Sequence, residues 1–306
     1  MTFEPGTEAY IAKVVETFGT WPAAKTVAER RARMERYADV HKVPYPPGLE
    51  VRDEVLAAPG RTIPLRVYRP AGRAPRPTVI YFHGGGWVAG SVDSHDTITA
   101  GLAAESGAQV ISVAYRLAPE HPYPAATEDC FEALRRIADG AFEADPERLA
   151  VAGDSAGGNL AAACALIARD RGGPALRLQA LIYPVLDDDV DRESYLTAND
   201  PFLTRDSMIY YLDAFLPAAT DRDDGHALPL RAADLAGLPP AYLLAAEHDP
   251  LRDETVAYAE RLRAAGVETT CRLAPGAIHG YLRARFVSAV AAAEFDRLAG
   301  AIRAII

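Results

Sequence analysis

Cysteine is scarce in this chain: three residues of 306, at Cys130, Cys164 and Cys271. An odd number at such wide spacing offers neither a zinc-binding pair nor a disulfide framework. Free buried thiols in a reducing compartment are expected instead. Basic residues are also in deficit, 32 Lys and Arg against 42 Asp and Glu, a formal charge of −10. With no basic cluster present, that balance argues against nucleic acid and anionic membrane as partners. No stretch reaches the roughly 18 consecutive apolar residues of a membrane span. The opening MTFEPGTEAY lacks a basic segment followed by an apolar one, so no secretory signal is read there. A cytoplasmic location is the resulting expectation. No internal repeat stands out.

What is present is the composition of a globular protein with a large core, 49% hydrophobic and 24% charged. Residues 7 to 40 read as two helices. The second, PAAKTVAERRARMERYADV, opens with Pro22 in its first turn. VPYPPG then breaks the helical pattern. Residues 1–45 are therefore expected to form an appendage, and 46–306 the main domain.

From residue 50 the pattern changes. VRDEVLAA and IPLRVYRP, separated by PGRT, read as a hairpin. Short apolar runs follow: TVIYFH, QVISVAYRL, RLAVAGD, LQALIYP, PAYLLAAE and TTCRLAP. Helical stretches separate most of them. That alternation implies an α/β architecture, with a mostly parallel sheet of about eight strands, helices on both faces and an antiparallel edge. Residues 187–226 break the rhythm and are expected to form an excursion above the sheet.

The chemistry concentrates in a few places. Gly153-Asp154-Ser155-Ala156-Gly157 has the G-x-S-x-G form between a strand pattern and a helix pattern. That is the setting of a nucleophile elbow, whose sharp turn needs small flanking residues. The helix start also turns N–H groups and a positive dipole end toward the serine. His83-Gly84-Gly85-Gly86 follows another strand, and its glycines let backbone N–H groups face a developing oxyanion. A phosphate loop is the rival reading, but the spacing fits neither G-x-G-x-x-G nor the Walker form. His83 precedes the serine and is expected to brace this loop.

Asp249 and His279 each lie just after a late strand pattern, where open α/β sheets carry their sites. The order Ser155, Asp249, His279 is that of α/β hydrolases, not that of chymotrypsin or subtilisin. Asp253 is the rival acid, one turn further on. Trp21, Trp87, Phe202, Leu203, Tyr210, Tyr211 and Phe215 are large and lie on segments expected to roof or line the site. Asp154 is a further pocket candidate. Packing between appendage and body is the competing account of the aromatics.

The motifs YFHGGGW, AYRLAPEHPYPAA, GDSAGGNLA, YPVLD, AEHDPLRDE and AIHGY occur in that order over residues 81–281. Together they make the chain resemble the bacterial hormone-sensitive-lipase-like esterases. The resemblance implies Ser155, Asp249 and His279 as a catalytic triad. It implies an oxyanion hole from the N–H groups of Gly84, Gly85 and Ala156. It further implies an N-terminal helical cap, short- to medium-chain acyl esters as substrates, and a homodimer joined through the sheet edge. Such chemistry needs no metal or organic cofactor. His248, Thr255, Ala277 and Tyr281 depart from the residues usual in the family, and none of them removes a catalytic group. An amidase, lactonase or deacetylase would use the same triad. A binding receptor on this fold would lack the histidine that His279 supplies.

Overall fold

The computed structural model describes residues 2–19, 24, 26–40, 42–218 and 222–305. Its centre is an eight-stranded sheet of order β1-β2-β4-β3-β5-β6-β7-β8. The strands are β1 (Glu50–Ala58), β2 (Arg61–Arg69), β3 (Arg76–Phe82), β4 (Gln109–Val113), β5 (Ala144–Asp154), β6 (Leu178–Ile182), β7 (Ala241–Ala246) and β8 (Thr269–Ala274). The expected hairpin is present, with Glu50 opposite Arg69 and Ala58 opposite Arg61. β2 also pairs antiparallel with β4, and every pairing from β4 to β8 is parallel. One strand thus runs against the rest, close to one edge.

The pleat divides the core in two, because successive side chains point to opposite faces. On one face Ile80, Phe82 and Val151 pack under α4 (Ala125–Ala138), α5 (Ala156–Asp170) and α8 (Arg252–Ala264). On the other, Val79, Tyr81, Ala150 and Ala152 meet α1 (Pro5–Phe18), α3 (Asp96–Ser106) and α9 (Ala289–Ile305). The helices α2 (Val27–Asp39), α6 (Glu193–Thr197) and α7 (Arg205–Phe215) come from the two irregular regions.

Two boundaries differ from expectation. The run QVISVAYRL stops being a strand at Val113. Beyond it the chain serves the glycine loop, with the Tyr115 hydroxyl donating to His83 O and Ala118 N to Trp87 O. The second helix begins at Val27, where Thr26 and Glu29 form a reciprocal capping box. Pro22 and Trp21 lie outside the described residues.

Candidate active site

The site is assembled from loops at the carboxyl ends of β3, β5, β7 and β8. Ser155 follows β5 directly, with φ 56° and ψ −120°. Its turn is sharp enough that neighbouring positions exclude side chains. A Cβ on Gly153 would drive into the Gly157 carbonyl, and one on Gly157 into that of Phe82. The Ser155 Oγ lies 2.9 Å from His279 Nε2. His279 Nδ1 lies 2.8 Å from Asp249 Oδ2. The Asp249 side chain is fully buried and that of His279 is 14% exposed.

Burial works against an imidazolium at His279. The adjoining Asp249 carboxylate and its hydrogen bond, with the charges of Asp200 and Asp154, nonetheless hold its pKa above the usual value. The rival Asp253 accepts the Ser194 N–H and pairs with Arg252. His83 is buried against the glycine loop, its ring stacked on Tyr115. Burial and the neighbouring His95 push its pKa down to about 3. It is a neutral brace.

The glycine loop departs from the expectation at one position. The Gly84 N–H is turned away to the Asp154 carboxylate, 3.0 Å from Oδ1, and lies 3.2 Å from His95 Nε2. It is not free to meet an oxyanion. Among the described residues the N–H groups of Gly85, Gly86 and Ala156 have no backbone or side-chain acceptor. Gly86, at φ +61°, is the position that sequence reasoning passed over. The sequence carried no signal for it, because the three glycines are alike as letters and the difference is set by the Asp154 carboxylate that takes the Gly84 N–H.

Asp154 is thereby explained. Tyr81 donates to its Oδ1 at 2.7 Å, and His95 Nε2 lies 3.2 Å from Oδ2 and 2.8 Å from Arg283 Nη2. Burial alone would raise its pKa. His95, Arg283 and the Tyr81 hydroxyl outweigh that and hold it well below the usual carboxylate range.

The cavity above Ser155 is lined by Asp154, Phe202, Leu203 and Tyr211, as expected, and also by Arg30, Arg33, Met34 and Tyr37 of α2 and Met208 of α7. Trp87, Tyr210 and Phe215 are not on its wall. Trp87 and Phe215 are both fully buried and stack face to face, ring centroids 4.1 Å apart, so they pack α7 onto the body. Tyr210 lies under the Arg30 guanidinium, 3.8 Å from it. Among the departures, His248 meets Phe3 edge-on and Tyr281 packs against Tyr183.

A parallel-rich sheet carrying serine, aspartate and histidine in that chain order, with the histidine in contact with both of the others, defines a hydrolase of the α/β class. A family described by the α/β-hydrolase fold matches residues 79–283. Carboxylesterase NlhH of Mycobacterium tuberculosis is 42% identical over 309 aligned positions, covering 98% of this chain and 96% of that one. Ethyl acetate hydrolase of Pseudomonas putida is 39% identical over 73% of each chain. The crystal structure of a thermostable esterase from Pseudomonas putida superposes with a TM-score of 0.93 at 36% identity, covering 99% of this chain and 98% of that one. The chain belongs to the hormone-sensitive-lipase-like family of α/β-hydrolase esterases. No helix of the described residues is long and apolar enough to cross a membrane.

Proposed function

We propose that Ser155 is the nucleophile, His279 the general base and Asp249 the group that orients it, acting on short- to medium-chain acyl esters. The contact of Ser155 Oγ with His279 Nε2, backed by Asp249 on the other ring nitrogen, carries this reading. His279 takes the Ser155 proton as Oγ attacks the ester carbonyl, and Asp249 stabilises the resulting imidazolium. The tetrahedral oxyanion is received by the N–H groups of Gly85, Gly86 and Ala156. Each such donor contributes about 10²–10³ in rate. His279 then protonates the leaving alcohol. Water, deprotonated by the same ring, hydrolyses the acyl-enzyme.

The preference for short acyl groups is supported by the close approach of Phe202, Leu203 and Tyr211 to the cavity. Residues 1–45 and the excursion at 187–226 are proposed to act together as a cap. Support comes from the α2 residue Arg31, which donates to Val88 O at 2.9 Å and pairs with Glu120 of the body. A homodimer through β8 is supported by its place at the sheet edge and by Leu273, 49% exposed there. A cytoplasmic location is supported by the free thiols of Cys130, Cys164 and Cys271.

The deciding experiment is initial rates on p-nitrophenyl esters from acetyl to palmitoyl, for wild type and Ser155→Ala. The expected result is a maximum at short chains in the wild type and loss of turnover in the variant. Turnover that survives in clean Ser155→Ala protein would refute the assignment.

A further inference from the structure

We infer that Asp200 is a positioning residue, a buried carboxylate that ties the backbone of the base His279 to the cavity wall. This inference rests on the proposed triad. Asp200 lies between α6 and α7, in the excursion, and is 8% exposed. Its Oδ2 accepts the His279 N–H at 2.6 Å, across 79 positions of sequence. Its Oδ1 accepts the N–H groups of Phe202 at 2.8 Å and Leu203 at 2.9 Å. The two Oδ1 contacts alone would make an ordinary local turn. The Oδ2 contact adds something such a turn does not need, a bond to the main chain of the base. His279 is thus held at two points, its ring by Asp249 and its backbone by Asp200.

The charges agree with this placement. The ionisable groups facing Asp200 are Asp249, His279 and, from α2, Tyr37. Burial and the Asp249 charge push the Asp200 carboxyl up to about 7, while His279 and the two turn N–H groups pull the other way. The two sites are coupled, so an imidazolium at His279 favours the ionised form of Asp200, and that carboxylate favours the imidazolium. Asp200 therefore stabilises the charge that His279 acquires as Ser155 attacks. Phe202 and Leu203 line the cavity. A substrate seated against them is felt at His279 through one shared carboxylate. Misplacement of a catalytic group by about 1 Å is enough to cost rate, which puts the effect in kcat rather than KM.

The test compares Asp200→Asn and Asp200→Glu with wild type from pH 5 to 9 on p-nitrophenyl butyrate, beside Ser155→Ala and His279→Ala. For Asp200→Asn, kcat should fall about ten-fold with little change in KM. The acid limb of kcat/KM should move down, by at most about half a pH unit, because His279 loses the part of the Asp200 charge that is present near pH 7. Asp200→Glu should return the limb toward the wild-type position. A purely structural carboxylate would leave the limb in place. An Asn variant with the wild-type limb and a kcat within about two-fold of wild type overturns the inference. Should that variant not fold, amide hydrogen exchange on the wild type decides. A protected His279 N–H is expected, and exchange at the rate of an open loop overturns the inference. If Ser155→Ala and His279→Ala stay active, the triad reading fails and takes this inference with it. If they are inactive and Asp200→Asn behaves as wild type, only the role of Asp200 falls.

Discussion

Gly84 and Gly86 are two positions apart and have opposite duties. Gly84 hands its N–H inward to Asp154, and that bond holds the loop so that Gly85 and Gly86 face the cavity. No pattern of letters distinguishes these glycines, because the difference lies in backbone direction and in a partner 70 positions away. The contact of Ser155, His279 and Asp249, by contrast, was legible, since chain order and loop placement restricted the proposed triad to very few residues. The aromatics were legible only as large. Trp87 is fully buried against Phe215 rather than on the cavity wall. Trp87→Ala should therefore lower stability by about 3–5 kcal/mol in chemical denaturation and leave the acyl-chain profile unchanged. Leu203→Ala should do the reverse, extending the profile toward longer chains at modest cost in stability.

Titration at this scale has a sign that can be worked out. In the folded chain the Asp200 carboxyl is raised to about 7, while an unfolded Asp titrates near about 3.9. Between those values the folded state holds a proton that the unfolded state has released, so stability falls as pH rises through this window. Asp154 has the opposite sign. Its lowered pKa contributes stability above the unfolded carboxylate value, lost as pH falls below it. Melting curves should show Asp200→Asn gaining on wild type as pH rises from 5 to 8. A difference in Tm that is flat with pH would contradict this account.

At the scale of elements, both helices that roof the cavity begin with capping boxes. Thr26 and Glu29 cap α2, and Thr204 and Ser207 cap α7. Each threonine satisfies a helix N–H that would otherwise lack a partner. Thr26→Ala and Thr204→Ala should each cost about 1 kcal/mol by denaturant midpoint. Because α2 and α7 supply cavity wall but no triad member, the kinetic effect should fall mainly on KM. The capping box at Thr26 is visible in the sequence as T-x-x-E, yet Pro22 and the helix formers after it predict an earlier start. Strong helix formers extended the pattern past the point where a local hydrogen bond starts it. The strand β4 was over-extended for a similar reason. AYRL is apolar enough to continue a strand, but its groups are taken by the glycine loop.

Over the whole molecule, the alternation of short apolar runs with helical stretches was enough to give the sheet, its parallel sense and its antiparallel margin. Strand order was not legible, because the crossover that puts β3 between β4 and β5 is decided by packing on both faces. That crossover sets β3 beside β5, and so sets Gly85 and Gly86 beside Ser155. At the far edge, β8 has no strand on its outer side among the described residues. If this edge joins two copies, Leu273→Lys should shift elution in size-exclusion chromatography from dimer to monomer. Identical elution of both proteins would remove the edge from consideration.

Ser155 occupies a backbone conformation with φ 56°, in a region where a side chain is a burden and glycine rests easily. The residue proposed as nucleophile is thus one the fold would be more comfortable without. Ser155→Gly should melt above Ser155→Ala, though both abolish the same chemistry. The inactive glycine protein would then be the better vessel for trapping an intact ester in the cavity. Any selection of this chain for heat resistance alone would tend to erase its reactivity first.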